Sequence, residues 1–365
     1  MRIGVPKETK VHEYRVGLSP ASVGELTVRG HEVWVEADAG TSIGFDNDHY
    51  RSAGAQIVDR DAAFGTDMVV KVKEPSLDEC TQLQRNQILF TYLHLAAAAP
   101  QARLLMERGV TAIAYETVED ATGRLPLLSP MSEVAGRMSI QVGAYALQKA
   151  AGGRGTLLGG VPGVAPGKVV ILGAGMAGTN AAYMAVGMHA DVTILDKSID
   201  RLRALSTEFG GRAKVLMASR ANIAQAVRSA DLVVGAVLVP GASAPKLVDR
   251  QLLSEMLPGS VLVDISIDQG GTFESSRPTS HDQPTYIEQG VVHYCVTNMP
   301  GAVARTATEA LNNVTLPYVL AIADKGWRKA LAENPGFGKG LNVSEGRICH
   351  PEVAKALGLT GPLAA

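Results

Sequence analysis

The chain is poor in cysteine, in aromatic residues and in excess charge of either sign. Its three cysteines, Cys80, Cys295 and Cys349, are odd in number and far apart, which argues against a disulfide framework and fits reduced thiols or small core residues. There is no C-x-x-C pair and no metal-spaced cluster of His and Cys. Lys and Arg total 34 against 36 Asp and Glu, a net charge of −2, so no bulk basic field is present to hold nucleic acid or an acidic membrane. No uninterrupted apolar run is long enough to span a bilayer. The opening MRIGVPKETK is charged and leads straight into a strand, unlike a secretory signal, and the expected location is the cytoplasm. No internal repeat is visible, and low complexity is confined to short Ala/Gly patches. Few aromatics beside 39 glycines suit a compact α/β enzyme, and 365 residues suggest two domains, each with its own core.

The chain is richest in information from Lys168 to Asp196, KVVILGAGMAGTNAAYMAVGMHADVTILD. An apolar strand, Val169 to Leu172, runs into a G-x-G-x-x-G turn made of Gly173, Ala174, Gly175, Met176, Ala177 and Gly178. A small-residue helix follows, then a second strand, Val192 to Leu195, that ends at Asp196. Each part serves a dinucleotide: Gly173 permits the tight turn, Gly175 lets the backbone approach the pyrophosphate, and Gly178 lets helix pack on strand. The helix N-terminus attracts the phosphates. Asp196 accepts from the ribose hydroxyls and repels a 2′-phosphate, which favours NAD over NADP; Lys197 beside it weakens that preference.

Apolar strands alternate with helical stretches along most of the chain, which argues for parallel sheets of βαβ units. Expected strands are Arg2 to Val5, Glu32 to Glu36, Met68 to Val72, Gln87 to Leu93 and Ala112 to Ala114, with helices such as Pro20 to Arg29 and Pro100 to Arg108. A long helix is predicted over Met131 to Ala151, with Ser129 as N-cap, Pro130 at the first position and Gly152-Gly153 as its end. The Gly/Pro-rich stretch that follows reads as a hairpin or loop. Further strands are expected at Leu232 to Ala236, Val261 to Ile267 and His293 to Val296, then helices over Ala304 to Asn313 and Leu316 to Glu333. A nucleotide domain over about 130–301 would leave 1–129 and 302–365 as one discontinuous domain, with a cleft between the two.

In open α/β sheets, ligands bind beyond the carboxyl ends of strands. Lys73 lies at the mouth of its strand, where it could hold a carboxylate or carbonyl oxygen, and alternation puts Lys71 on the same face. The alternative is a solvated edge strand. His94 follows the next strand and could exchange a proton near neutral pH, though a lone His beside apolar residues is usually structural. Asp268 ends Val261 to Ile267, near where a nicotinamide would sit, or else serves as a turn-former before Gly-Gly; Asp264 reads as structural. Asn298 follows His293 to Val296 and could bond cofactor or substrate. Arg15, in the charged loop that holds Lys7-Glu8 and His12-Glu13, could clamp a small carboxylate but in isolation reads as a surface charge. A cation, a His and an Asp beside NAD suggest hydride transfer at a carbon that bears an amine or hydroxyl next to a carboxylate.

These residues also carry a resemblance. MRIGVPKETKVHEYRVGLSP, VVKVKEP, LFTYLHLA, SPMSEVAGRMS, VVILGAGMAG, GAVLVPGASAPKLV, VLVDISIDQGG and VTNMPG resemble, in order from Met1 to about Gly340, the bacterial L-alanine dehydrogenases. The resemblance implies a Rossmann NAD-binding domain inserted into a discontinuous α/β substrate domain, usually in a homo-hexamer. It implies the reversible reaction of L-alanine, NAD⁺ and water to pyruvate, ammonia and NADH. Arg15 and Lys73 match the family's substrate-binding residues, and His94 and Asp268 its catalytic pair; Glu74 would hold the Lys73 region in place. Cofactor contacts match Ser132, Asp196, Arg201, Val237, Leu238, Ile265, Ser266, Ile267 and Asp268, together with Arg277, Val296, Thr297, Asn298 and Met299. A family serine that contacts the adenosine falls on Ala218 here, beside Ser219. Some relatives carry Glu and His before the GW pair; Ala321 and Lys325 stand there, so no metal is expected. Rival expectations are a saccharopine- or lysine-type dehydrogenase, the NAD(H)-binding component of a transhydrogenase that docks on membrane partners, and a non-catalytic NAD sensor.

Overall fold

The computed structural model describes residues 1–237 and 244–359. The chain is α/β and divides into two compact units: 1–131 with 303–365, and 132–302.

The first unit begins with six parallel strands, β1 (Arg2–Val5), β2 (Glu32–Glu36), β3 (Gln56–Val58), β4 (Met68–Val70), β5 (Ile88–Thr91) and β6 (Thr111–Ala114). They lie in the order β6-β5-β4-β1-β2-β3, so the direction of progression reverses between β1 and β4. Strand alternation sorts the core into two faces. Ile3, Val5, Met68, Val70, Ile88 and Phe90 join one cluster, while Val69, Leu89, Ala112 and Ala114 join another on the opposite face.

The second unit adds β7 (Lys168–Leu172), β8 (Asp191–Asp196), β9 (Ala213–Met217), β10 (Leu232–Gly235), β11 (Val261–Asp264), β12 (Thr285–Glu288) and β13 (Val291–Tyr294). Their order is β12-β13-β11-β10-β7-β8-β9, parallel except for β12 against β13. Here the reversal falls between β7 and β10, the position at which open sheets bind ligands. The chain then returns to the first unit, where the helix Ala304–Lys325 buries Ala307, Leu311, Val319 and Ile322 in the first core cluster. Two short strands, β14 (Leu341–Ser344) and β15 (Arg347–Ile348), extend the first sheet beyond β6 in antiparallel sense.

Several expected boundaries move. The strand that carries Lys71 and Lys73 stops at Val70, and β4 is an interior strand, so the solvated-edge reading falls. The strand before Asp268 stops at Asp264, and Asp268 sits in a short turn of helix, Ile267–Gln269. The long helix spans Ser129–Ala146 and is followed by a separate turn, Lys149–Ala151, which Gly152 closes at φ 90°. Ser129 does not cap it: its hydroxyl donates back to the Leu125 carbonyl at 2.9 Å, so the helical turn begins earlier. The break between the two expected helices moves: Ala304–Lys325 runs unbroken through Pro317, with Thr315 and Val319 buried on either side of it, and the chain breaks instead at Gly326, φ 76°, before a separate helix, Trp327–Glu333.

Candidate active site

On the first unit, chemistry gathers at the carboxyl edge of the sheet, around β1, β4 and β5. The segments beyond β4 and β5 stay zipped after the strands end. Lys71 donates its N–H to Phe90 O at 3.2 Å, Tyr92 its N–H to Val72 O at 3.2 Å, and Thr91 its hydroxyl to Lys73 O at 3.0 Å. Lys73 and His94 therefore project from neighbouring, mutually bonded segments. The His94 ring is half exposed, stacks on Tyr92 at 5.9 Å between centroids, and has Nδ1 3.9 Å from Glu116 Oε1. Its backbone is left-handed, φ 49°, which is uncommon for a residue with a Cβ.

Arg15 arrives from the loop after β1. Gly17 makes this possible: a Cβ there would stand 2.3 Å from Val70 O, so only glycine lets the loop cross the end of β4. Arg15 is not a surface charge. It is buried, with Nε donating to Glu13 Oε1 at 2.7 Å and Nη2 to Glu13 Oε2 at 2.5 Å, and Nη1 lies 3.1 Å from Met131 Sδ. Burial opposes its charge, but Glu13 more than restores it, with further help from Tyr92 and Glu8 on the same edge. A fixed guanidinium beside a lysine and an imidazole suits a small 2-oxo or 2-amino acid.

Glutamates the sequence reading did not single out hold this edge together. Glu8 and Glu79 both accept from the fully buried Lys71, each at 3.1 Å. Glu79 also takes Arg60 Nη2 at 2.6 Å. Lys71 and Lys73 thus have different fates: Lys71 is a buried strut, while Lys73 is half-buried with Nζ 3.7 Å from Glu74 Oε2. Burial would raise the Glu74 carboxyl, but Lys73 and Lys10, which bonds Glu74 directly, hold it below its ordinary value. Glu116 follows β6, and the strand-end rule that found Lys73 and His94 would have found it too.

On the second unit, the glycine turn follows β7 at the reversal point. A Cβ on Gly173 would meet Ala236 O, past β10, at 2.6 Å, and one on Gly178 would meet Gly173 O at 1.8 Å. A Cβ on Gly175 would meet nothing within 4 Å, so the space above it is open. Gly175 is the N-cap of the helix Met176–Gly187 and provides no side-chain cap, so the first-turn N–H groups face that space. Asp196 closes the far side, accepting from Ala174 N at 2.6 Å and Ser198 N at 2.8 Å. This cradle fits a dinucleotide pyrophosphate and ribose: first-turn amides that the helix itself does not use, room at the second glycine and a carboxylate at the second strand's end.

The other expected cofactor residues have various surroundings. Arg201 donates through Nε and Nη2 to Ala174 O at 3.1 and 2.9 Å, which braces the turn. Ser266 donates to Val237 O at 2.7 Å, which ties the end of β11 to the end of β10. Ile265 is half-buried and Ile267 buried, while Asp268 is exposed. Val296 and Met299 are buried, Thr297 and Asn298 half-buried, and Asn298 is left-handed at φ 62°. Arg277 is exposed and lies over the Tyr286 ring at 3.9 Å. Ser132 is half-buried in the first turn of the helix Ser129–Ala146. Leu238 lies outside the described residues. Ser219 caps the helix Arg220–Arg228 by accepting from Asn222 N, so its hydroxyl has a structural task. Asp264 is structural as well: buried, it accepts from Ser266 N, Thr272 N and Ser276 Oγ and fixes the turn that bears Asp268.

Residues 4–135 match the family description alanine dehydrogenase/PNT, N-terminal domain, and residues 139–351 match its C-terminal domain. The chain belongs to the alanine dehydrogenase/PNT family. Within the family, it is 55% identical to the alanine dehydrogenase of Halomonas elongata, over 98% of this chain and 97% of that protein. The alanine dehydrogenase of Mycobacterium tuberculosis is 54% identical over the same shares. A solved L-alanine dehydrogenase superposes with a TM-score of 0.96 at 55% identity, covering 98% of this chain and 99% of that one. A transhydrogenase from Sinorhizobium meliloti, 24% identical over 96% of this chain and 99% of that one, has a TM-score of 0.83 and shares the fold. Among the described residues, no helix is long and apolar enough to cross a membrane.

Proposed function

We propose that this protein is an NAD-dependent L-alanine dehydrogenase, which interconverts L-alanine, NAD⁺ and water with pyruvate, ammonia and NADH. The geometric observation that carries the reading is the projection of Lys73 and His94 from neighbouring bonded segments, on the edge that buries Arg15. The full-length likeness to alanine dehydrogenases supports alanine over larger amino acids.

NAD⁺, held at the glycine turn and Asp196, would supply the hydride acceptor. The protein's own residues do the rest. Arg15 pairs with the substrate carboxylate, held in place by Glu13. Lys73 binds the oxygen that becomes the ketone. Alanine must present a neutral amine, and loss of hydride from Cα leaves an iminium ion. Water adds to that carbon, and the carbinolamine expels ammonia to give pyruvate. His94 takes the proton from the attacking water, returns it to the departing nitrogen and takes the hydroxyl proton as the ketone forms. Asp268 orders the amine or the water. Asp196 receives the ribose hydroxyls, and the first-turn amides after Gly175 receive the pyrophosphate, aided by Ser132, Arg201, Val237, Arg277 and the segments 265–268 and 296–299. We infer a homo-hexamer in the cytoplasm on the resemblance alone; light scattering of the purified chain tests the assembly.

The experiment is a pair of measurements on one variant. His94→Ala should lose turnover of L-alanine by 10²-fold or more, on the order expected for removal of a proton-transfer group. Its NADH affinity, read by fluorescence titration, should stay within about twofold. Near-normal turnover in His94→Ala removes His94 from the chemistry.

A further inference from the structure

Two glutamates each grip two successive amides of the chain beneath the two reactive side chains. Glu8 Oε1 accepts the backbone N–H groups of Val72 and Lys73 at 2.7 and 3.1 Å. Glu116 accepts those of Leu93 and His94, at 3.1 Å to Oε2 and 2.6 Å to Oε1. Each pair of amides lies just past a strand, and the two strands, β4 and β5, are neighbours. A carboxylate that spans two successive N–H groups fixes the peptide between them, and with it the direction in which the next side chain leaves the backbone.

Both grips are anchored. Glu8 is buried, and its other oxygen receives Lys71 Nζ at 3.1 Å. Lys71 in turn bonds Glu79, so Glu8 is fixed by a chain of buried charges. Glu116 has a side chain that is 14% exposed, and it comes from the turn directly after β6, the next strand along. The His94 backbone sits at φ 49°, a conformation that needs to be held, and that residue's own N–H donates to Glu116 Oε1 at 2.6 Å. The same oxygen faces His94 Nδ1 at 3.9 Å.

We propose that Glu8 and Glu116 are positioning residues of the dehydrogenase site, which aim Lys73 and His94 at the substrate through the backbone without touching it. This rests on the function proposed above. The division of labour follows from what each grips. Glu8 acts through Lys73 and governs how substrate is held. Glu116 acts through His94 and governs proton transfer.

The test uses the full-length protein with Glu8→Gln, Glu116→Gln, Glu116→Asp and Glu116→Ala. The measurements are the KM for L-alanine, kcat, NADH affinity by fluorescence, and the melting temperature. Glu116→Ala should lower kcat on the order of 10²-fold, the scale of a misplaced catalytic group, with little change in KM. Glu116→Gln keeps an acceptor oxygen for His94 N–H and should recover part of that loss; Glu116→Asp, with its shorter reach, should recover less. Glu8→Gln should raise KM for L-alanine about tenfold or more, with a smaller fall in kcat. NADH affinity should stay within about twofold in all four. Because Glu8 also neutralises Lys71, Glu8→Gln combined with Lys71→Met replaces it if the single variant does not fold; the Glu116 variants leave the Lys71 network intact. Wild-type kcat and KM in the folded variants, or losses that only track a lower melting temperature with no KM–kcat split, overturn the proposal. No turnover of L-alanine by the wild-type protein overturns the functional reading and the proposal with it.

Discussion

Gly175 and Gly178 stand three residues apart in one turn, yet their substitutions should fail in different ways. A Cβ on Gly178 would lie 1.8 Å from the Gly173 carbonyl, so Gly178→Ala must displace the helix or the turn. It should lower thermal stability and cofactor affinity together. Gly175 has φ −69°, which alanine adopts readily, and open space where a Cβ would point. Gly175→Ala should keep the wild-type melting temperature and lose NADH affinity by tenfold or more, about 1.4 kcal/mol. A Gly175→Ala protein that binds NADH normally would show that the pyrophosphate does not approach there. Asp196→Ala should weaken NADH by about 1.5–3 kcal/mol, the range for a hydrogen bond to a charged group, and relax the rejection of NADPH. Unchanged preference between the two cofactors would remove its ribose role. At this scale the glycine motif and its terminal acid were fully legible, because their spacing encodes the turn itself. The burial of Arg15 was not: it depends on Glu13 two residues away and on Gly17 crossing β4, and neither contact has a spacing signature.

At the scale of elements, the sequence located most strands but overran their ends. Val72, Tyr92 and Leu93 are apolar and buried like strand residues, yet they lie past the last ladder positions, where glutamate side chains accept amides of the chain. Short or half-exposed strands such as β3, β9, β12 and β15 left no pattern long enough to read. Lys71 and Lys73 also differ in burial past the end of β4 at Val70, Lys71 fully buried and Lys73 half-buried. Lys71 belongs to a buried ion network, with consequences for stability. Burial would raise Glu79, but Lys71, the Ser76 amide and Arg60 overcome it and hold the carboxyl below its ordinary value. Its contribution is therefore present above about pH 4.5 and is lost as pH falls through the depressed value. Glu79→Gln should cost about 3 kcal/mol at pH 7, because it leaves Lys71 short of one partner in a buried site. The gap from wild type, read from urea midpoints, should narrow as pH drops below 4.5. A gap that is constant with pH would mean the carboxylate charge is not what stabilises this network.

For the molecule as a whole, the sequence showed that reactive residues follow separate strands, but not which strands are neighbours. That β4 and β5 are adjacent, with β1 on the other side of β4, is a property of strand order. It is what gathers Lys73, His94 and Arg15 on one edge of the first unit. The reversal between β7 and β10 does the same for the glycine turn and Val237 in the second. Fold, cradle and edge together describe an enzyme and not only a nucleotide sensor, and a sensor makes a different prediction: it binds NADH and turns nothing over. The deciding measurement is absorbance at the NADH band, with the purified protein, NAD⁺ and a panel of L-amino acids at alkaline pH. Strong NADH formation with L-alanine, and little with serine, lysine or 2-hydroxy acids, is the expected result. NAD⁺ binding without turnover of alanine would contradict it.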